Sequence, residues 1–191
     1  MYKLLKNKAL FLENTVCLAI SMIKLILGLV LLTTPLISQA ASTETAVKAG
    51  FIYNFSKFIE WPADTTTNYK LCVIGENTNG DSLDVLENKI VGDKPLVVKR
   101  HIKEADIKEC HMLVMMETRD AVTQNILEKI ATLPIVTVSD SPDFVVRGGM
   151  IGLIRDGNRV GFEVNMQAAN MAGLRISAQL LKLAKSVKGL K

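Results

Sequence analysis

Residues 49–62 read Ala-Gly-Phe-Ile-Tyr-Asn-Phe-Ser-Lys-Phe-Ile-Glu-Trp-Pro. Phe51, Phe55, Phe58 and, at the border, Trp61 recur at helical spacing, so a helix here lays four of the chain's ten aromatic rings along roughly one side. Full burial of such a ring stabilises a fold by roughly 1.5–3 kcal/mol, an upper figure because denatured chains are already partly compact. The stretch is therefore expected to be a core helix that ends at Trp61, because Pro62 lacks a donor and biases the residue before it away from helical angles. Tyr53, Ser56 and Glu60 fall on the other side. With Lys57 they are the residues left to face a partner.

Upstream, residues 25–37 are an apolar run of about 20 Å as a helix, short against a hydrocarbon core of about 30 Å. Lys24 flanks the run, and Ser38-Gln39-Ala40 offers small residues where a signal peptidase reads. Residues 1–40 are expected to be a cleaved leader, with Met22 as an alternative start, and 41–191 a single domain with no stable membrane anchor. Such a leader carries four lysines and one glutamate, so its loss lowers the net charge from +4 to +1. No basic cluster survives to argue for nucleic acid. Cys17 leaves as well. Cys72 and Cys110 then either pair in an oxidising compartment or remain buried free thiols in strand-like runs.

Downstream, residues 71–74 form a short apolar run ending at Gly75, as a buried strand does. A short helix over 81–86, a strand over 96–98, a helical turn over 104–107 and a strand over 110–116 follow. An amphipathic helix over 119–131 turns Val122, Ile126, Leu127 and Ile130 inward, and 135–138 is a fourth strand. This alternation predicts a largely parallel sheet covered on both faces. Asp156-Gly157-Asn158 between two strand-like runs, 150–154 and 159–164, predicts an antiparallel hairpin.

Asn165 is placed to cap a long final helix with an apolar stripe through Ala169, Ala172, Ile176, Leu180, Leu183 and Val187. A second line, Met171, Leu174, Ala178 and Leu181, lies nearly opposite. Either the aromatic helix or a loop covers it, or it is exposed to a dimer mate or partner.

Residues 75–80 have the glycine spacing of a phosphate loop but lack the following Lys-Ser/Thr, and Asp81 puts a negative charge there. His101, Cys110, His111 and Cys72 show no zinc spacing, and neighbours such as Cys110 and His111 point apart on a strand. Neither histidine has a nucleophile elbow to serve, and Asp140, Asp143 and Asp156 read as turn residues. No catalytic, metal or cofactor site is expected, and the chain is not read as an enzyme. A small ligand, if one binds, is expected at the carboxyl ends of the parallel strands near Gly75 and Ser139-Asp140.

The segments 49–62, 71–75, 110–113, 136–140, 148–151, 162–165 and 172–177 resemble, in family order, the YfiR family of small exported bacterial proteins, also called DUF4154. The resemblance covers nearly the whole mature chain. It implies a periplasmic α/β domain of Rossmann-like build: a three-layer sandwich, here with a mostly parallel sheet, the C-terminal hairpin and the long final helix. It also implies frequent dimerisation. The best-known family member binds the periplasmic part of an inner-membrane diguanylate cyclase and represses it, so that cyclic-di-GMP and biofilm formation respond to envelope or redox conditions. Cys72 and Cys110 match one of that system's disulfide pairs, and the second pair has no counterpart here. The resemblance thus implies a regulator of a membrane-bound signalling partner, whose contact surface is drawn from Tyr53, Lys57, Glu60, Met171, Leu174, Ala178 and Leu181. The aromatic helix, close to the mature end, is expected to cover the second stripe, and Cys72 just beyond it is expected to tie its movement to the disulfide.

Overall fold

The computed structural model describes residues 39–62, 66–75, 81–157 and 159–189. The expected leader up to Ser38, with its alternative start at Met22, and residues 76–80 of the glycine-spaced loop lie outside that set. Residues Ala41–Lys191 group into one compact unit.

Helix α1 (Gln39–Phe58) opens it. It stops three residues before Trp61, the expected end. The residues after it form a short strand β1 (Ile59–Glu60), whose antiparallel partner is drawn from the far end of the chain. Strand β2 (Tyr69–Ile74) follows. A 3-10 turn (Asp81–Leu86) leads to β3 (Ile90–Val91) and β4 (Lys94–Arg100), joined by a tight turn at Gly92. A second 3-10 turn (Glu104–Glu109) precedes β5 (Met112–Met115). Helix α2 (Asp120–Ile130) and strand β6 (Val136–Ser139) come next, then the hairpin β7 (Ile151–Asp156) and β8 (Arg159–Asn165).

The main sheet has eight strands, with β10 (Ser186–Lys188) at one edge, in the order β10-β8-β7-β6-β5-β2-β4-β3. β4, β2, β5, β6 and β7 are mutually parallel. The β7–β8 hairpin is antiparallel, with Ile151 opposite Val164 and Asp156 opposite Arg159. The expected fold class is thus borne out, down to the parallel sheet and the terminal hairpin.

Alternation along the strands sorts the interior into two layers. Tyr69, Leu71, Val73, Met112 and Val114 face α1, where Ile52, Phe55 and Phe162 meet. Cys72, Leu113 and Met115 face α2, with Ile126, Leu127 and Ile130. Because both faces are covered, these strands read as continuous apolar runs. Phe55 packs its ring edge-on against Phe162 at 5.0 Å, and Phe51 lies 5.6 Å from the same ring, so α1 is seated on β8.

The final helix needs correction. It is four elements: α3 (Met166–Met171), β9 (Arg175–Ile176), α4 (Ala178–Leu183) and β10. Asn165 caps α3 as expected, its side chain accepting the Ala168 N–H at 3.1 Å. Gly173 ends it at φ +71, a left-handed conformation that costs glycine little. The Leu174 N–H reaches Ala169 O at 2.9 Å and the Gly173 N–H reaches Asn170 O at 3.0 Å, the paired closing bonds of a helix C-terminus. Ser177 then caps α4 through the Leu180 N–H at 3.2 Å. Between the two helices β9 pairs with β1, Ile59 opposite Ile176 and Glu60 opposite Arg175. The Ser177 N–H donates to Phe58 O at 2.9 Å at the end of the same ladder.

Candidate functional site

The expected ligand crevice lies where β2 and β5 part company, at their carboxyl ends. There Gly75 sits so close to Met116 that an added Cβ would lie 1.6 Å from its carbonyl oxygen. Lys48, reaching from α1, bonds Asp140 at 2.9 Å and Glu44 at 3.2 Å, and Glu44 also pairs with Arg155. Burial works against the Lys48 ammonium, but the bonds to Asp140 and Glu44 outweigh it and hold its pKa above the ordinary lysine value. The Lys48 hydrogen bond, helped by Arg155, holds the Glu44 carboxyl below the usual range. This end of the sheet is occupied by an ion-pair network that staples α1 across it.

A concave space among the described residues lies at the opposite, amino end of the strands. A cavity of about 380 Å³ is lined by Trp61, Tyr69 and His111, with Ile59, Val91 and Pro62 as further apolar wall and Lys57, Asp93 and Lys94 among its polar groups. Its aromatic wall is fixed by bonds that follow from the strand ends. The His111 N–H donates to Lys70 O at 2.9 Å and the Lys70 N–H returns to His111 Nδ1 at 3.0 Å, which puts the ring proton on Nε2, 3.2 Å from Thr66 Oγ1. Trp61, which follows β1 beyond the end of α1, donates its indole N–H to His111 O at 3.2 Å. Tyr69 stacks on His111 at 5.0 Å and meets Trp61 edge-on at 5.1 Å. The Tyr69 hydroxyl is buried without a hydrogen-bond partner, and burial pushes its pKa well above the ordinary phenol value.

Cys72 and Cys110 are joined by a disulfide, with Cα atoms 5.9 Å apart. It ties β2 to the segment entering β5, beside the Lys70–Glu109 ion pair at 2.8 Å. The Lys70 bond keeps the Glu109 carboxyl below the usual range. Cys110 and His111 do point apart, Cys110 into the α2 layer and His111 towards Tyr69. Among the described residues no group of three His, Cys, Asp or Glu side chains is placed to hold a metal. None of their helices is long and apolar enough to cross a membrane.

Of the expected surface residues, Lys57, Glu60, Met171 and Ala178 are exposed, and Met171 shows 56% of its surface. Tyr53 is half-buried, its hydroxyl bonded to Ile90 O at 3.0 Å and Lys57 Nζ over its ring at 4.1 Å. Leu181 is partly buried against the core. Leu174 does not belong to this surface. At 2% exposure it is core, because the closing turn at Gly173 swings it inward. Ser56 is buried too, its hydroxyl bonded to Tyr53 O at 2.7 Å. The β1–β9 ladder draws the two halves of the remaining surface together, setting Glu60 beside Arg175, while Pro62 packs against Gly173. Sequence reasoning missed the cavity. It took Trp61 as the last ring of a helix and weighed His111 only as a metal ligand, although a ring followed by proline was a signal that the ring leaves the helix axis.

The profile of the DUF4154 family, described as YfiR/HmsC-like, matches residues 45–185. The chain belongs to the YfiR/HmsC-like family. Among solved structures it is similar to a conserved domain protein from Vibrio cholerae O1 biovar El Tor, at 13% identity and a TM-score of 0.51. It is also similar to an ABC domain in complex with L-Trp from Streptococcus pneumonia, at 9% identity and 0.49. Each match covers 75% of this chain and 60% of the other, so the YfiR/HmsC-like chain spans about three-fifths of these neighbours. The Vibrio likeness speaks for the fold alone.

Proposed function

We propose that this YfiR/HmsC-like protein is exported and represses an inner-membrane signalling partner, a diguanylate cyclase, by binding its periplasmic part. Cyclic-di-GMP output and biofilm formation are then under its control. The reading is carried by the family match over residues 45–185. It is supported by the exposed strip that β1 and β9 assemble, with Glu60 and Arg175 at its centre, Lys57 one turn back on α1 and Met171 and Ala178 on the other side. Repression requires tighter binding to the inactive state of the partner, since equal affinity for both states shifts nothing. Deletion is expected to raise cellular cyclic-di-GMP and surface attachment, and overexpression to lower both. Glu60→Lys combined with Arg175→Glu is expected to behave like the deletion while the purified variant keeps its melting temperature, because both side chains are exposed. Cyclic-di-GMP and attachment that stay level under deletion and overexpression would overturn the reading.

A further inference from the structure

The cavity at the amino end of the sheet has the attributes of a small-molecule site. Its volume of about 380 Å³ falls in the range of ligand pockets, and its walls set apolar side chains beside a comparable share of polar groups. Three rings from three separate segments line it, and each is held before any ligand arrives. Trp61 is bonded to His111 O, His111 to the backbone of Lys70, and Tyr69 is buried against both. Trp61 stands nearly perpendicular to Tyr69, at 84°, while Tyr69 and His111 are within 29° of parallel. The packed rings therefore give the cavity a rigid aromatic wall, which suits a planar molecule and leaves little ordering entropy to lose on binding.

Charge selects further. The ionisable side chains on the lining are Lys57 from α1, Lys94 from β4, Asp93 from the β3–β4 turn, Tyr69 and His111. Two ammonium groups against one carboxylate leave a single positive excess beside the rings. We propose that this cavity binds a flat organic anion, an aromatic or heteroaromatic monocarboxylate, with its ring against Trp61 and His111 and its carboxylate met by Lys57 and Lys94. The proposal shares Lys57 with the partner surface but neither Glu60 nor Arg175, and its test needs only the purified chain.

Trp61 is the chain's single tryptophan, so its emission reports on this cavity directly. The probe is 4-hydroxybenzoate, titrated by calorimetry and by Trp61 fluorescence, with acetate as charge without ring and benzyl alcohol as ring without charge. The expected result is saturable binding of 4-hydroxybenzoate with a change in Trp61 emission, and binding of acetate and benzyl alcohol weaker by about tenfold or more. Lys57→Ala, at an exposed helix position that leaves folding intact, is expected to weaken 4-hydroxybenzoate binding several-fold, and Lys57→Ala with Lys94→Ala by about tenfold or more. Lys129→Ala, on α2 against the other layer, is expected to bind as the parent does. Absence of saturable binding, benzyl alcohol binding as tightly as the carboxylate, or affinity unchanged by Lys57→Ala would each overturn the proposal.

Discussion

Tyr69 shows how one atom can be stored at a cost. Its ring closes the aromatic corner of the cavity, yet its hydroxyl has no partner, and an unsatisfied buried hydroxyl costs about 1–3 kcal/mol. Tyr69→Phe removes that atom and keeps the ring, so urea unfolding at neutral pH should find the variant no less stable than the parent. A gain of up to about 1 kcal/mol is expected, and a loss larger than that would mean the hydroxyl is bonded after all. The same group sets an alkaline limit. Burial raises the folded-state pKa above the unfolded value, so the folded state holds its proton where the unfolded chain releases it. The associated stability is present below about pH 10 and declines as pH rises beyond that. Tyr69→Phe should abolish this part of the alkaline decline, read as the difference between urea curves at neutral and alkaline pH.

Elements show what a sequence pattern can and cannot carry. Strands β2 and β5 were legible because burial on both faces leaves apolar runs, and the hairpin was legible because Asp156-Gly157 forces a turn. The C-terminal segment was not. Its apolar residues kept a helical period straight through two breaks, since α3, β9 and α4 pack in turn on the same core and each contributes apolar side chains to it. The stop signals were present in Gly173 and Ser177, but a period spread over some twenty residues outweighs a single glycine in any local reading. Trp61 failed similarly: pairing of β1 with β9 is a long-range event with no local signature. Gly173→Ala tests the break. At φ +71 an alanine is strained, and its Cβ would meet the Pro62 ring at 3.8 Å, an ordinary contact, so conformation and not crowding sets the cost. Thermal unfolding should show a loss of about 1 kcal/mol. An unchanged melting temperature would mean that the left-handed turn is not required for the β1–β9 junction.

At the scale of the whole molecule, the sheet separates two interiors, and this decides what the disulfide can control. Both cysteines lie in the layer facing α2, whereas α1 packs on the other face through Ile52 and Phe55. The sheet therefore lies between the disulfide and the face on which α1 packs, so any coupling of Cys72 to the movement of α1 has to cross it or run round its edge. α1 is held by its own contacts: the rings seated on Phe162, the Lys48–Asp140 pair and the β1–β9 ladder. The bridge spans 38 residues, and closing such a loop in the unfolded chain stabilises by about 2–4 kcal/mol in the chain-entropy view. Cys72→Ser with Cys110→Ser should lower unfolding free energy by that order. Hydrogen exchange should then localise the loosening. In the reduced protein, exchange is expected to quicken in the Glu104–Glu109 turn, at the entry to β5 and in α2, whose side chains share a layer with the sulfurs. Protection in α1 is expected to persist. Loss of protection in α1 to the same extent would show that the two layers open together, through a direct strut such as the Trp61 bond to His111, which joins the segment after α1 to the disulfide's own segment.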